Sequence, residues 1–557
     1  MPTRTGGQIL VDQLVLHGAD HVFCVPGESY LAVLDALYDT PRIRTITCRH
    51  EGNAAMMAEA HGKLTGRPGI CMVTRGPGAT NASAGLHVAM QDATPLIVFI
   101  GQVARGQIER EAFQEIDYRR MFGQVTKWTA QVDDAARLPE LIARAFRVAT
   151  GGRPGPVVLA LPEDMLTEAV DVADGLPYAP LESWPGGDEL SALRGMLAAA
   201  RAPMVLLGGA PWDGEAVAAI ERFAEANRLP VATTFRRADR FDNAHPLYAG
   251  DLGIGPNPKL AERVRAADLL IVVGARLTEM TTGGYRLFDI PVPKQKLVHV
   301  HPDPEELGRV YHPTLAINAT PRGFAKALAG FEPIADPAWA GTGEAAHTAY
   351  GEWQIAPPNP GDIQLGDVMA WLEANMAEET IYTNGAGNFA VWLHRFHRYR
   401  RLGTQLAPTS GSMGYGFPAA IAAAIVRPGT SVVCFAGDGD FLMSGQDLAT
   451  AMATGAKPIV IVFNNGMLGT IRMHQETHYP GRVSATDLVN PDFAAYARAF
   501  GAHGETVTAT AGFAPAMERA MASGTAAIID LKIDPQAITP RTTLDKLRQT
   551  AMDRKKG

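Results

Sequence analysis

The 557 residues of this chain are enough for three or four domains, since a typical domain contains about 100–200 residues. Hydrophobic residues make up 46% of the chain and charged residues 19%, which is typical of a compact globular protein and excludes a disordered or coiled-coil chain. The 50 basic and 58 acidic side chains leave a formal net charge of −8, so we do not expect a nucleic-acid-binding surface.

The cysteines and the N-terminus bear on where the protein works. Cys24, Cys48, Cys71 and Cys434 stand singly in apolar, strand-like segments, with no CxxC pair and no histidine at metal-binding spacing. This usage predicts buried thiols in a reducing cytoplasm. No segment approaches the roughly 18 uncharged residues of a membrane span, so we expect neither a signal peptide nor a membrane anchor.

Short apolar segments alternate with longer amphipathic ones, the pattern of parallel sheets with helices on both faces. The first block of predicted strands is HVFCVPG, IRTITCRH, PGICMVTRGPG, TPLIVFIG and GPVVLALPEDM. The second is ARAPMVLLGGAP, LPVATTF, AADLLIVVGARL and KLVHVHPD. The third is ETIYTNGAG, TSVVCFAGDGD, KPIVIVFNNG and TAAIIDLKID. The prediction is an α/β protein of three consecutive domains with mainly parallel sheets.

Two polar or proline-rich stretches, 171–189 and 331–362, separate the three blocks. Neither has the pattern of a packed helix or a long strand, so both are predicted to be linkers. They place the domains at 1–175, 186–335 and 360–557. The basic C-terminal tail DKLRQTAMDRKKG is expected to fray.

The strongest chemical signal lies at the ends of two neighbouring strands of the third block. Gly437-Asp438-Gly439 follows SVVCFA, and Asn464-Asn465 follows PIVIVF. Because adjacent parallel strands end at the same sheet edge, Asp438 and Asn465 are expected to face one site. Their oxygens suit Mg²⁺ or Ca²⁺, and the glycines let backbone N–H groups approach a diphosphate. Each of these short motifs alone is more often a simple turn, but the two together predict a metal and diphosphate site.

The segment GDGDFLMSGQDLATAMATGAKPIVIVFNN resembles the thiamine diphosphate and Mg²⁺ motif. The whole chain resembles the acetolactate synthase-like superfamily, which includes pyruvate oxidases, benzaldehyde lyase, benzoylformate decarboxylase and oxalyl-CoA decarboxylase. The resemblance implies a pyrimidine-binding, a central and a diphosphate-binding domain, in that order. It also implies that Asp438 and Asn465 bind the metal by their side chains and Met467 by its main-chain carbonyl, with Gly437 and Gly439 beside the diphosphate.

Further family motifs concern the cofactor itself. Glu51, in RHEGNAA, would otherwise be an ordinary acidic residue in a first helical turn. In the family the matching Glu hydrogen-bonds N1′ of the aminopyrimidine and favours the tautomer that removes the C2 proton. Met413, in SGSMGYGFP, matches the apolar support under the bent cofactor and would otherwise be core. Gly387 and Asn388 match the segment around the diphosphate, whereas Phe389 replaces a usual polar residue.

Three residues match motifs around the reaction space of acetolactate synthases. RGPGATN contains Asn81, and Phe113-Gln114-Glu115 matches their FQE. The resemblance implies that Asn81 and Gln114 contact the substrate or a reaction intermediate, and that Lys127 belongs to the same pocket. Without the family, each is an undistinguished polar residue.

The match weakens where the family recognises its acceptor and holds a flavin. RLTEM ends in Met280, where acetolactate synthases have an arginine that grips the carboxylate of the second keto acid. His474 stands where they have a tryptophan. The glycine-ended strands of the second block could hold a nucleotide, and central domains of this superfamily hold FAD, ADP or nothing.

The sequence therefore predicts a thiamine diphosphate- and Mg²⁺-dependent 2-oxoacid decarboxylase/carboligase acting on 2-oxoacid and aldehyde substrates. One alternative is a non-oxidative 2-oxoacid decarboxylase or C–C lyase. Another, of a different class, is a non-catalytic cofactor-binding regulator, against which intact Glu51, Asp438 and Asn465 argue. The resemblance also implies a homodimer or homotetramer, with Glu51 of one chain meeting the diphosphate site of another.

Overall fold

The computed structural model describes residues 3–556 and contains three six-stranded sheets, each formed by one stretch of the chain. Every strand pair in these sheets is parallel. Two short strands, β1 (Arg4–Thr5) and β8 (Ala169–Val170), form a separate antiparallel pair. The predicted α/β class with parallel sheets flanked by helices is confirmed.

The N-terminal sheet has the strand order β3-β2-β4-β5-β7-β6. Its strands are β2 (His21–Cys24), β3 (Arg44–Thr47), β4 (Gly69–Val73), β5 (Leu96–Gln102), β6 (Trp128–Gln131) and β7 (Pro156–Pro162). Its helices are α1 (Gly6–Leu16), α2 (Leu31–Tyr38), α3 (Glu51–Thr65), α4 (Pro77–Asp92), α5 (Tyr118–Phe122), α6 (Leu138–Thr150) and α7 (Glu163–Thr167). The inner strands are mainly apolar because helices cover both faces of the sheet.

The central sheet has the order β11-β10-β9-β12-β13-β14, which is the order 3-2-1-4-5-6 of dinucleotide-binding folds. Its strands are β9 (Pro203–Leu207), β10 (Val231–Thr234), β11 (Tyr248–Leu252), β12 (Leu269–Val273), β13 (Lys296–Val300) and β14 (Leu315–Ile317). Its helices are α8 (Gly187–Ala198), α9 (Gly214–Asn227), α10 (Pro258–Ala266), α11 (Pro321–Ala327) and α12 (Thr342–Trp353).

The C-terminal sheet has the order β16-β15-β17-β18-β20-β19. Its strands are β15 (Ile381–Asn384), β16 (Gln405–Leu406), β17 (Val432–Gly437), β18 (Ile459–Asn464), β19 (His503–Val507) and β20 (Ala527–Lys532). Its helices are α13 (Leu365–Asn375), α14 (Ala390–Phe396), α15 (Gly416–Val426), α16 (Asp438–Phe441), α17 (Leu448–Thr454), α18 (Gly469–His478), α19 (Phe493–Ala499), α20 (Phe513–Ala522) and α21 (Leu544–Lys556).

Two expectations about the polar segments were wrong. The segment 331–362 contains helix α12, whose Ala346 and Tyr350 are buried against the central domain, with the ring of Tyr350 edge-on to that of Tyr248 at 5.0 Å. The C-terminal tail forms most of α21 instead of fraying, because Arg548 makes a two-pronged ion pair with the buried Glu476 of α18. No helix within residues 3–556 is both long and apolar enough to cross a membrane.

A buried network of charges joins the three domains. Asp92, at the end of α4, accepts from Lys63 Nζ (2.8 Å) and from the N–H of Thr409 (2.8 Å) in the C-terminal domain. Arg237 of the central domain lies 3.3 Å from the same carboxylate, and Lys63 also donates to the hydroxyl of Tyr415 (3.1 Å). Because Asp92, Arg237 and Tyr415 are buried, the three sheets are held together by interactions that water does not screen.

Candidate active site

The predicted metal corner forms where β17 and β18 end side by side. Gly437, the last residue of β17, pairs with Phe463 of β18. Asp438 begins α16 directly afterwards and is 2% exposed. Its Oδ1 accepts from the N–H of Gly439 (2.9 Å), and its Oδ2 accepts from the N–H of Gly466 (2.8 Å). The carboxylate after one strand therefore contacts the loop after the neighbouring strand, in agreement with the expected geometry.

Asn490 completes this corner and was not found from the sequence. Its Nδ2 donates to Asp438 Oδ2 (2.8 Å) and to Asn464 Oδ1 (3.1 Å). Its own Oδ1 is buried and has no hydrogen-bond partner among residues 3–556. Burial raises the pKa of Asp438, although these N–H donors act in the opposite direction. No local pattern marks Asn490, because its loop reaches the strand ends only in the folded chain.

The loop after β18 offers the other predicted ligands. Asn465 Oδ1 accepts from the N–H of Met467 (3.2 Å), and Met467 pairs with Asp487 in an isolated bridge. The N–H of Leu488 donates to the carbonyl of Gly466 (2.8 Å), which fixes the loop further. Carboxylate, amide and carbonyl oxygens are the donors that Mg²⁺ prefers, and the unpaired oxygen of Asn490 at the same corner is a further hard donor. The donor set fits Mg²⁺.

The predicted diphosphate loop lies beside this corner. A Cβ at Gly387 would come within 2.5 Å of the Phe389 ring, and one at Gly437 within 3.0 Å of the same ring. Phe389 also stacks on Phe463 at 5.9 Å, so an aromatic side chain supports the loop where the family has a polar one. Asn388 accepts from the hydroxyl of Thr470 at 3.1 Å, which orients its amide.

Met413 and the GDGD segment are held together by Asp440, a second residue that the sequence did not reveal. Asp440 Oδ1 accepts from the N–H groups of Gly414 (2.8 Å) and Ala386 (3.3 Å). A Cβ placed on Gly439 would lie 3.9 Å from Met413 Cε, so the methionine reaches the glycine beside the metal corner. Burial raises the pKa of Asp440 to about 7.

Glu51 and Asn81 lie together in the N-terminal domain. Glu51 is the first residue of α3, and His50 caps the helix by accepting from the N–H of Gly52 (3.0 Å). Asn81 Nδ2 of α4 donates to Glu51 Oε2 (2.9 Å) and so orients the carboxylate. Gly85 allows the close approach of α3 and α4, since a Cβ there would lie 2.4 Å from that of Ala55.

Gln114 lies on the same side of this domain in a strained loop. Its φ of 66° is in the left-handed region, which costs a non-glycine residue free energy. Its Oε1 is buried and has no hydrogen-bond partner among residues 3–556. A Cβ on Gly76, which precedes α4, would lie 2.7 Å from that of Gln114, so Gln114 packs against the start of the helix that carries Asn81.

The predicted site has one half in the N-terminal domain, around Glu51, and one in the C-terminal domain, around Asp438. The two halves are joined by residues at the beginning of α3. The N–H of Arg49 and the side chain of Asn53 both donate to Asp447, which follows the GDGD segment. Within residues 3–556, no hydrogen bond or ion pair joins Glu51, Asn81 or Gln114 to Asp438 or Asn465. A single chain therefore fixes the two halves to each other without direct contact between their predicted catalytic groups.

A cavity of about 1010 Å³ lies where the three domains meet, with walls from the N-terminal, central and C-terminal domains. Met280, His474, Gly387 and Asn388 line it, so the structure brings the two departures from the family pattern together beside the diphosphate loop. Lys127 is not part of its wall. The Lys127 ammonium donates to the carbonyl of Gly151, and burial lowers the pKa of Lys127 to about 8.

Family models match each of the three domains. Thiamine pyrophosphate enzyme models match residues 4–121 as the N-terminal TPP binding domain, 190–328 as the central domain and 385–531 as the C-terminal TPP binding domain. The chain belongs to the thiamine pyrophosphate enzymes. Thiamine pyrophosphate, also called thiamine diphosphate, is its cofactor, which confirms the resemblance stated from the motifs.

Curated relatives cover almost the whole chain. The acetolactate synthase isozyme 2 large subunit of Escherichia coli (strain K12) is 32% identical over 508 residues, covering 90% of this chain and 91% of that protein. The acetolactate synthase large subunit of Parasynechococcus marenigrum (strain WH8102) is 32% identical over 549 residues, covering 95% of this chain and 88% of that protein. The probable acetolactate synthase large subunit of Methanocaldococcus jannaschii is 30% identical over 554 residues, covering 96% and 93%. This thiamine pyrophosphate enzyme is therefore acetolactate synthase-like.

Proposed function

We propose that this thiamine pyrophosphate enzyme decarboxylates a 2-oxoacid and joins the remaining fragment to a second carbonyl compound. The observation that carries the proposal is the corner at β17 and β18, where Asp438 contacts the loop of Asn465 beside an unpaired oxygen of Asn490. The names of the relatives, acetolactate synthases, support a carboligase. When bound, the cofactor supplies the nucleophilic carbon and the electron sink for this chemistry.

The protein's own groups have separate tasks in this proposal. Asp438, Asn465 and the carbonyl of Met467 would hold Mg²⁺, and the bare backbone at Gly387, Gly437 and Gly439 leaves space for the diphosphate. Glu51 would hold a proton at N1′ of the aminopyrimidine, with its carboxylate oriented by Asn81. Met413 would support the bent cofactor from below.

Met280 and His474 bear on which acceptor substrate the enzyme uses. Met280 offers no cation to a carboxylate, and His474 replaces an apolar wall with an exposed imidazole. This favours neutral aldehydes as acceptors over a second 2-oxoacid, and it keeps a non-oxidative decarboxylase or C–C lyase as the second candidate. Lys127 is engaged by a backbone carbonyl, so we assign it no direct part in binding the acceptor.

A product assay distinguishes these activities. The purified protein with thiamine diphosphate and Mg²⁺ is incubated with pyruvate, pyruvate plus 2-ketobutyrate, and pyruvate plus an aldehyde. Chromatography then separates acetolactate, acetohydroxybutyrate, acetoin and acetaldehyde. Acetoin and mixed ligation products are expected, whereas release of aldehyde without any ligation would favour the decarboxylase, and no turnover of any 2-oxoacid would contradict the proposal.

We propose that the working unit is at least a homodimer with shared sites. Apolar side chains are exposed beside both halves of the site, among them Phe113 (74%), Met443 (54%), Ile471 (51%) and Val489 (103%). Complementation tests this: Glu51→Gln and Asp438→Ala proteins, each inactive, are mixed after subunit exchange. Random exchange should restore about a quarter of the wild-type sites if a site combines two chains, and none if each chain works alone.

We propose that the cavity holds a nucleotide, with FAD as the first candidate. The central sheet has the strand order of dinucleotide-binding folds, and the cavity lies at its carboxyl edge, where such folds bind ligands. A visible absorption spectrum and chromatography of the ligand released from purified protein test this. Flavin, ADP and the absence of any nucleotide give three distinct results.

The proposed location is the cytoplasm. The four cysteines are free and buried, and no two of them form a disulfide. Unpaired thiols are usual in reducing compartments. Fractionation of cells producing the protein would test the assignment.

A further inference from the structure

Three side chains converge at the amino end of β2 in the N-terminal domain. Asp20 precedes this strand, His21 is its first residue, and His61 lies late in α3. Asp20 Oδ1 is 2.9 Å from His21 Nδ1 and 2.9 Å from His61 Nε2. Among residues 3–556 they are the one group of three or more His, Cys, Asp or Glu side chains whose ligand atoms all lie within 4.8 Å of one another. Two imidazole nitrogens therefore meet at a single carboxylate oxygen.

This group is separate from the candidate active site. Glu51 follows β3 at the carboxyl edge of the N-terminal sheet, whereas Asp20 and His21 lie at the amino edge of the same sheet. His61 comes ten residues after Glu51 in α3, about 15 Å farther along the helix. None of the three residues lines the large cavity between the domains. The proposed carboligase activity therefore gives this group no task.

Aromatic packing fixes both histidine rings. The ring of Phe23 stacks with that of His21 at 6.3 Å and meets that of His61 edge-on at 6.4 Å. The two histidine rings are themselves 5.6 Å apart, and His61 is only 3% exposed. Because the rings are held by their neighbours, the two nitrogens are positioned in advance of any ligand.

Two further contacts orient the same groups. Arg67 forms an ion pair with Asp20 Oδ2 and donates to the carbonyl of Gly18 (2.7 Å), so Oδ1 stays turned toward the histidines. The guanidinium is half exposed, and water screens its repulsion of a second cation. The hydroxyl of Thr65 donates to the carbonyl of His61 (2.8 Å), and its oxygen lies 3.5 Å from His61 Nδ1. A metal-binding imidazole uses such a partner for its second nitrogen.

We propose that Asp20, His21 and His61 bind one Zn²⁺, or a similar transition metal ion, through Oδ1, Nδ1 and Nε2. Two imidazoles and one carboxylate are a usual ligand set for Zn²⁺. Tetrahedral Zn²⁺ with bonds of about 2.0–2.1 Å separates its ligand atoms by about 3.3 Å, so each observed contact would have to open by about 0.4 Å. Asp20 and His21 are half-buried, and water can reach the fourth position. The ion would tie the loop before β2 to α3 and take no part in the thiamine chemistry.

Zinc titration of the untagged, full-length protein tests the site. Calorimetry measures Zn²⁺ binding to wild type, Asp20→Asn, His21→Gln and His61→Gln, in excess Mg²⁺ and thiamine diphosphate so that the proposed cofactor site is filled. Circular dichroism checks that each variant is folded, and the half-buried His21 provides a variant that disturbs the core less than His61→Gln. Co²⁺ is the second probe, because tetrahedral coordination gives it a strong visible absorption band.

Two control variants separate this site from other metal-binding groups. His474 and His478 are both exposed on α18 with their rings stacked at 6.3 Å, and a histidine pair at this helical spacing could hold Zn²⁺ by itself. His478→Gln removes that pair. Asp438→Ala removes a predicted Mg²⁺ ligand, and it should lose thiamine diphosphate affinity but keep Zn²⁺ binding. Failure of the proposed carboligase and failure of the zinc site therefore give different results.

Wild type should bind one Zn²⁺ per chain, melt at a higher temperature with Zn²⁺ than without it, and show the visible band with Co²⁺. The variants of Asp20, His21 and His61 should bind Zn²⁺ at least about a hundredfold more weakly and lose the band, since changes to residues that only support a ligand already cost about 10–100-fold. The two controls should match wild type. No Zn²⁺ binding by wild type, full affinity in a folded His21→Gln, or loss of binding in His478→Gln would overturn the inference.

Discussion

The carboxylate of Asp440 accepts a hydrogen bond from the N–H of Gly414 at 2.8 Å, one residue after Met413. The same oxygen accepts from the N–H of Ala386, and a Cβ at Gly385 would lie 2.0 Å from it. One side chain therefore sets the distance between the loop of Gly387 and the loop of Met413. The two predicted cofactor loops are positioned by a residue that belongs to neither.

Replacing Asp440 with alanine should loosen both loops. Two backbone N–H groups lose their acceptor, at a cost of about 1–3 kcal/mol for each that stays buried. We expect a lower melting temperature and weaker thiamine diphosphate binding, measured by thermal shift and by fluorescence titration. Asp440→Asn keeps one acceptor oxygen and should recover part of the melting temperature and part of the thiamine diphosphate affinity. Equal behaviour of the alanine variant and wild type would contradict the positioning role.

Asp438→Ala should weaken thiamine diphosphate binding before it affects anything else. The metal would link the diphosphate to the protein, and the alanine also leaves the N–H of Gly466 without its acceptor and the Asn490 amide with Asn464 alone. Calorimetry with Mg²⁺ should show at least a tenfold weaker affinity, the scale of a lost charged contact. Asp553→Ala, an exposed change in α21, is the control. Unaltered affinity would refute the metal assignment.

Glu51→Gln should separate binding from proton transfer. The amide keeps the size of the side chain and can still meet Asn81, but it no longer provides an acid. We expect retained cofactor binding and a rate of C2–H/D exchange reduced by about 10²-fold or more, the scale of general acid–base catalysis. Exchange is followed by NMR after acid quench, with the exposed change Glu140→Gln as control. Exchange near the wild-type rate would end the assignment.

Asp251→Asn should stabilise the nucleotide-free protein at neutral pH. Burial raises the pKa of Asp251 from 3.8 to about 6, so the folded state binds this proton more tightly than the unfolded state. The tighter binding of this proton adds to the free energy of unfolding in full below pH 3.8. The added stability is lost as the pH rises through 6, a change of about 3 kcal/mol at most. Urea unfolding should show the variant more stable at pH 7.5, with the difference narrowing toward pH 5. A difference that does not depend on pH would exclude this titration as the cause.

Met280→Arg should shift the products toward acids. A guanidinium in the cavity wall would offer the carboxylate of a second 2-oxoacid a charge-assisted contact of about 1.5–3 kcal/mol. With pyruvate alone, the ratio of acetolactate to acetoin should rise about tenfold, whereas Met280→Leu should leave it unchanged. Chromatography of the products measures both. An unchanged ratio in the arginine variant would show that position 280 does not face the acceptor.

The sequence predicts the inner strands of all three sheets but misses most of the outer ones. Five strands of the three six-stranded sheets were not predicted, and each lies at the edge of its sheet: β6, β11, β14, β16 and β19. Inner strands are covered by helices on both faces and by a strand on each side, so most of their residues are apolar. Edge strands such as His503–Val507 are partly exposed and carry polar residues, which removes that signal.

The residues of the candidate site also differ in whether the local sequence marks them. Asp438, Asn465 and Glu51 stand directly at the ends of strands or the start of a helix, so local pattern and family motif find them together. Asn490 and Asp440 act through contacts that depend on how loops close. The first comes from a loop distant in sequence, and the second lies inside the motif but makes its contacts to other segments. Helix α12 was missed for another reason, since its small residues carry little amphipathic pattern.

The charge network around Asp92 has a consequence for how the protein unfolds. Its carboxylate receives donors from the N-terminal, central and C-terminal domains, so separating any one of them leaves a buried charge without its partner. Breaking a buried pair in this way costs about 3–5 kcal/mol. The three domains should therefore melt in one cooperative transition. A protease that cuts within the segment 171–186 should leave the two pieces associated. The linker only connects the domains covalently, whereas the buried ion pairs around Asp92 hold them together.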